Sequence, residues 1–251
     1  MIEAAFAAAW ATPGLGWLAL TAAIAGVVFG YAGFGTALIF MPVATVFLPP
    51  RVAVACLEIM TLSSLVVIVP PAWAVCDRRA TAGMIGVALV FIPAGVLVLR
   101  VADPNFLRWA VTGLATVTLV ALLLGWRRRG ADTTPARLGV AAAAGFTGGA
   151  TGLNGPVLVL FHLSGRAGAA TIRANSAVFL VVTGAAVLPV MVAQGLVSWA
   201  DAALGLLLFG PYALGSLVGR AVFRPERDGL YRGIAYAIIG GAILVGLPVW
   251  G

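Results

Sequence analysis

Glu58 is the only carboxylate well inside an apolar stretch of this chain, some two turns past the start of its run. A charge at such a depth costs about 2.5–3.5 kcal/mol on insertion scales, so its presence points to a task, and a carboxyl that loads and releases a proton is the first candidate. The structural alternative is a pairing with Arg51, seven residues earlier on the same helix face, or with another helix. Two glycine-rich interruptions offer a second chemistry. Tyr31-Ala32-Gly33-Phe34-Gly35-Thr36 and Ala150-Thr151-Gly152-Leu153-Asn154-Gly155-Pro156 each cut a long apolar run, and glycines at that density, with Pro156, break a helix. A helix restarting after such a break aims its unpaired N–H groups and the positive end of its dipole into the protein, which suits an anion. Gly33, Gly35, Gly152 and Gly155 would let a ligand approach the backbone, and the Thr36 hydroxyl and Asn154 amide could donate to it directly. The same glycines could serve only to let helices pack closely, although packing alone does not account for tips at matching positions.

Arg173 lies in the corresponding region of the second half, with Asn175 and Ser176 just beyond. Its planar fork of donors matches anionic oxygens, so Arg173 and Asn175 are candidates to complete an anion site; Arg173 is also placed to snorkel into lipid headgroups. His162, the sole histidine, could relay protons near neutral pH, against the plainer reading of a hydrogen-bonded structural residue. Cys56 and Cys76 argue for neither a disulfide framework nor a metal cluster and read as packing residues.

The elements that must hold these residues are apolar throughout. Of 251 residues 62% are hydrophobic and 9% charged, against roughly 45–50% and 25% in soluble domains, which excludes a soluble fold. Runs at residues 15–48, 52–75, 80–99, 106–126, 138–164, 174–200, 202–219 and 233–251 reach or approach the roughly 20 residues that cross a bilayer as a helix. The connections are short, so any function lies within the membrane. Nothing basic precedes the first run, which carries Glu3 ahead of it, so that run is expected to persist rather than to be cleaved as a signal peptide. The net charge of +7 comes from arginines at segment ends, where cytoplasmic loops collect positive charge; nucleic acid is not an expected partner. Arg78, Arg79, Arg127 to Arg129 and the turn from Arg220 to Arg232 are expected to set topology and meet anionic lipid. Trp10, Trp17, Trp73, Trp126, Trp199 and Trp250 fall near segment ends as interfacial anchors do.

Gly26-x3-Gly30-x2-Gly33 recurs as Gly145-x3-Gly149-x2-Gly152, and Phe91-x-Pro93 as Phe209-x-Pro211. The chain therefore reads as two copies in one membrane domain, with boundaries 1–126 and 138–251 and a cytoplasmic linker at 127–137. Each opening segment is either one long helix unwound at its middle or a re-entrant hairpin of two half-helices. If both are hairpins, only Arg51, Arg100 and Arg108 of the 15 basic residues lie opposite the rest; if both span, the division is nine against six, so the positive-inside rule favours hairpins. The expected fold is an all-α integral membrane protein with two inverted-topology repeats, each a broken or re-entrant hairpin plus three transmembrane helices. Transporters that work by alternating access have this architecture, with substrate near the midplane.

The tips Gly33-Phe34-Gly35-Thr36, leading to Pro42, and Gly152-Leu153-Asn154-Gly155-Pro156, each followed by a short apolar half-helix, resemble those of the sulfite exporter TauE/SafE family. The likeness extends over nearly the whole chain in length, two-copy layout and loop placement; Thr36 stands where the family's first tip commonly has a third glycine. What the resemblance implies is export or exchange of a small sulfur-containing anion such as sulfite or an organosulfonate, proton-coupled, in a bacterial plasma (inner) membrane. An anion channel, or a permease for another small organic or inorganic anion, would use the same dipoles without a coupling carboxylate. An enzyme fits poorly, since one His, one buried Glu and no HExxH or GxSxG leave no catalytic set. No cofactor is implied, ATP drive would need a partner for want of a Walker motif, and apolar surfaces leave a homo-oligomer open.

Overall fold

Runs of alanine, leucine and valine must satisfy their own backbone hydrogen bonds in hydrocarbon, and the helix is the structure in which one segment does so alone. The computed structural model describes residues 2–125, 133–162, 168–222 and 228–249, and every element among them is a helix. They are α1 (Ile2–Trp10), α2 (Leu15–Ala32), α3 (Thr36–Phe47), α4 (Pro50–Thr61), α5 (Ser63–Val67), α6 (Val69–Val75), α7 (Arg78–Val101), α8 (Pro104–Leu123), α9 (Thr134–Thr151), α10 (Gly155–His162), α11 (Ala169–Ala193), α12 (Trp199–Val222) and α13 (Asp228–Val245).

Three aspartates are consumed in starting helices. Asp77 accepts from the Ala80 amide at 3.1 Å, and Asp103 accepts from those of Asn105 and Phe106 at 2.9 and 3.1 Å. Asp201 accepts from the Ser198 amide at 2.8 Å while the Ser198 hydroxyl accepts from the Asp201 amide at 3.1 Å, a capping box that opens α12. Glu58 has no such local role.

Among the described residues, six helical segments are long and apolar enough to cross a membrane: α2, Pro50–Val67, α7, α8, Ala170–Ala193 and α12. They are not the six spans expected from the runs, because α2 is among them while the terminal run contributes the shorter Gly233–Val245. The outward faces remain apolar, with Val101, Phe106, Val117 and Leu214 all more than 60% exposed. Trp10, Trp17, Trp73 and Trp199 are exposed as well; Trp126 and Trp250 lie outside the described residues.

Both opening segments stop by one local device. Gly33 and Gly152 take left-handed conformations, φ 78° and 74°, and their amides bond back to the Phe29 and Gly148 carbonyls at 2.7 and 2.8 Å, ending α2 and α9 as an αL cap does. After the first stop the chain reverses. The ring of Phe47, the last residue of α3, packs on Gly14, which opens α2, so closely that a methyl on Gly14 would collide with it. Continued straight on, helices of 18 and 12 residues would hold those ends about 45 Å apart. The first broken segment is thus a hairpin, not one long unwound helix.

The run at 52–75, expected as a single helix, is broken at Leu62 and Ile68 into α4, α5 and α6. The Thr61 hydroxyl takes the Glu58 carbonyl at 3.1 Å and the Ser63 hydroxyl takes that of Met60 at 3.0 Å, drawing acceptors away from the ladder. Pro70 and Pro71 then bring no N–H to it. The equivalent α11 runs unbroken for 25 residues.

Two helix pairs, α2 with α12 and α7 with α9, approach backbone to backbone over small residues. A methyl at Gly26 or Gly30 would strike the Tyr212 or Ser216 carbonyl, and one at Gly145 or Gly149 the Ala88 or Ile92 carbonyl. Gly219 faces the Val27 carbonyl and Tyr31 amide; Gly95 faces the Phe146 carbonyl and Ala150 amide. The partner residues sit at the same spacing as the glycine repeat. Gly95 and Gly219 define a register in which Pro93 and Pro211 are six positions apart, so the two Phe-x-Pro motifs do not occupy corresponding places.

Candidate functional site

Because α2 stops at Gly33 and α9 at Gly152, the following half-helices begin inside the protein. Gly35, Thr36, Gly152, Asn154 and Gly155 line one cavity, together with Glu58 from α4 and Tyr212 from α12. Its volume is about 40 Å³. Thr36, Ala37 and Leu38, the first turn of α3, all face it, and the first amide to find a partner at this helix start is Ile39, which donates to Gly35 at 3.2 Å. The amides ahead of it are the donors that a helix leaves unpaired.

Glu58 is 3% exposed. Its carboxyl lies against α11 at Gly184, where an added methyl would sit 2.6 Å from Oε2, whereas Arg51 is exposed two turns back at the start of α4. None of the described residues lining the cavity is a cation. Gly184→Ala must therefore displace the carboxyl, at a cost of order 1 kcal/mol. The expected result is a correctly folded protein of slightly lower stability, read as an unchanged gel-filtration profile beside a lowered thermal midpoint.

Tyr212 is fully buried, and its hydroxyl lies 3.3 Å from Thr36 Oγ1 and 3.2 Å from Ser64 Oγ. It ties the first tip to both α5 and α12. Sequence reading missed Tyr212 and Ser64; a hydroxyl-bearing residue in an apolar run is a weak signal, and their partners lie more than 140 residues away along the chain. Tyr212→Phe is expected to leave the fold intact and to lower stability by about 1 kcal/mol, measured as a shift in thermal midpoint.

Asn154 is held from the other side. Its Nδ2 donates to the Leu180 carbonyl and to Thr183 Oγ1, both at 3.1 Å, and the Thr183 hydroxyl donates on to Phe179 at 2.7 Å. An amide nitrogen carries two hydrogens, so both are spent, and the direct donation expected of Asn154 is replaced by anchoring of the second tip to α11.

Three expected site residues lie elsewhere. Gly33 abuts the Arg173 side chain; Arg173 donates to the Gly30 carbonyl and lines a different cavity; and Asn175 Oδ1 accepts from the Asp77 amide at 2.8 Å. That last bond sets the loop carrying Arg78 and Arg79 beside the start of α11, which carries Arg173. His162 ends α10, and its side chain falls outside the described part of the structure.

A family model described as "Sulfite exporter TauE/SafE" matches residues 18–247. No curated protein and no solved structure matched the chain.

Proposed function

Because the chain belongs to the sulfite exporter TauE/SafE family, whose members are multi-pass membrane transporters and not enzymes, we propose that it carries a small sulfur-containing anion, sulfite or an organosulfonate, as an exporter or exchanger coupled to protons. One observation carries this reading: the tips of both broken segments and the lone intramembrane carboxylate line the same cavity. In this account the amides opening α3 and α10 and the Thr36 hydroxyl hold the anion, while Glu58 takes up and returns the proton. Residues 1–126 and 138–251 form two inverted repeats joined by 127–137, with each broken segment re-entrant, and the cavity between them opens to the two sides in turn. The exchange of partners, α2 of the first copy on α12 of the second and α9 on α7, supports that division. The bond between Asp77 and Asn175 supports a topology in which Arg78, Arg79 and Arg173 share the cytoplasmic face of a bacterial inner membrane.

The deciding experiment is uptake of sulfite and two organosulfonates into liposomes holding the purified protein, with and without a proton gradient. Saturable, gradient-driven uptake is expected. A flux that neither saturates nor responds to the gradient would make the protein an anion channel, and failure of every one of these anions to move would remove sulfur oxyanions as its substrate.

A further inference from the structure

Hydrogen bonds and close backbone contacts sort the helices around the central cavity into two groups, and these groups are not the two halves of the chain. In the first, α2 and α12 meet along Gly26, Gly30, Gly215 and Gly219, where an added methyl would strike a backbone carbonyl. The other members are tied to α12. The Tyr212 hydroxyl meets those of Thr36, at the start of α3, and Ser64 of α5. Val67, the last residue of α5, accepts from Arg220 Nη1 at 2.9 Å. From α4, Cys56 Sγ donates to the Asp201 carbonyl at 3.9 Å and Ile59 packs on Gly205. In the second group, α7 and α9 meet at Gly95, Gly145 and Gly149, again backbone to backbone. Asn154, at the tip between α9 and α10, is bonded to α11; α11 packs on α7, and α6 packs on α11. The bond from the Asp77 amide to Asn175 fastens the connection between α6 and α7 to α11 as well.

Contacts between the groups are of another kind. Across the central cavity, glycines of the second group receive the ends of side chains from the first. Leu57 Cδ2 would lie 2.9 Å from a methyl on Gly152, and Glu58 Oε2 2.6 Å from one on Gly184. Side-chain ends change rotamer and backbone does not, so this surface can slide while the paired helices cannot. Arg173 of α11, which donates to the Gly30 carbonyl of α2, is a bond that such a slide must release. The chain passes from one group to the other at Ile68, between α5 on α12 and α6 on α11. Pro70 and Pro71 follow, without the N–H groups that would lock α5 and α6 into one helix. It passes back in the turn after Ala193, where Gly195 takes φ 70°.

We propose that the protein works by movement of these two bodies against each other, α2 to α5 with α12 against α6, α7 and α9 to α11, with residues 68–71 as a hinge. The proposal rests on the alternating-access reading and changes what alternates: each body is assembled from both repeats, rather than one repeat moving against the other. Each body carries one tip to the cavity. Glu58 of the first faces Gly184 of the second, so the proposed proton site lies on the moving surface.

The test is double electron–electron resonance on the full-length protein in nanodiscs, at acid and alkaline pH, with and without sulfite. Spin labels are placed at Trp17→Cys, Leu97→Cys and Leu217→Cys, all exposed positions, on α2, α7 and α12. The background is Cys56→Ser with Cys76→Ser, checked for wild-type elution. Positions 17 and 97 share a half of the chain but not a body; positions 17 and 217 share a body but not a half. The distance from 17 to 97 is expected to shift between conditions by about 5 Å, the size of a one-turn slide of packed helices, while that from 17 to 217 stays fixed. A distance from 17 to 217 that moves as far, or one from 17 to 97 that is constant under every condition, would overturn the two bodies. Pro70→Ala with Pro71→Ala restores two amides to the helix and is expected to narrow the shift; an undiminished shift would remove residues 68–71 as the hinge. Sulfite flux in liposomes beside a constant distance from 17 to 97 would leave the transport reading and sink the bodies. The shift without flux of any sulfur anion tested would do the reverse.

Discussion

Glu58→Gln is expected to reduce gradient-driven anion uptake in liposomes to background while the protein remains as stable as wild type or becomes more so. The two halves of that result have one origin. Glu58 is buried in a cavity with no cation among its described lining residues, its carboxyl held against Gly184 rather than paired with Arg51. An acid in that position contributes nothing to folding that an amide of the same shape cannot, and removing an ionisable group from an apolar environment is neutral or stabilising. Gln, however, cannot carry a proton from one side to the other. Uptake against a gradient and the thermal midpoint should be measured on the same preparation. Lost uptake with an unchanged or raised midpoint assigns Glu58 to coupling. A midpoint lowered by several degrees would instead make Glu58 a structural partner of a neighbouring helix, and retained gradient dependence would move the proton to another group. Counterflow of anion with no gradient should survive in Glu58→Gln, because the amides opening α3 and the Thr36 hydroxyl are untouched.

Glu58 was legible in the sequence because its setting is local: one carboxylate in an apolar run stands out whatever surrounds it. The stops at Gly33 and Gly152 were legible for the same reason, since a left-handed cap is decided within a few residues. The remaining features depend on partners remote in the chain. Tyr212 and Ser64 belong to the site only because α5 and α12 converge on the first tip, and nothing within either run marks that meeting. At the break at Leu62, Thr61 and Ser63 turn hydroxyls onto carbonyls three residues back, and the break at Ile68 lies just ahead of Pro70 and Pro71; the same residue types elsewhere bond to carbonyls four residues back within an unbroken helix, as Thr112 and Thr116 do in α8. Asn154 was read as a donor to ligand from residue type alone, and the commitment of both its hydrogens to α11 follows from the packing of Leu180 and Thr183 beside it. Arg173 and Asn175, adjacent to the expected site in number, face away from it because α11 presents different sides to the central cavity and to α6.

The glycine repeat carries two functions that a spacing alone does not separate, and they predict different failures. Gly33 and Gly152 end helices, whereas Gly26, Gly30, Gly145 and Gly149 let helices touch. Without a hydrophobic difference between helix surface and lipid tail, association in a membrane depends on close packing, and a stripe of glycine is what permits it. Gly149→Val is accordingly expected to prevent recovery of monodisperse protein. Its Cβ alone would lie 2.5 Å from the Ile92 carbonyl oxygen and 2.9 Å from the Val96 amide nitrogen. Both are backbone atoms of α7 that cannot rotate aside, so α7 and α9 must separate along their length, at a cost beyond the roughly 1–3 kcal/mol of ordinary overpacking. Gly30→Val should fail alike, since its Cβ would strike the Ser216 carbonyl of α12. Gly86→Val, on the same helix α7 but with nothing within 4 Å of its Cβ, should give wild-type yield and thermal midpoint. Fluorescence-detected gel filtration of the three variants in one detergent reads the result. Because α2 and α12, like α9 and α7, lie in opposite halves of the chain, equal failure of Gly30→Val and Gly149→Val would mean that each half is held by the other's third long helix. A Gly149→Val protein that elutes as wild type would show that α7 and α9 need not approach this closely, and would return these glycines to the role of backbone flexibility alone.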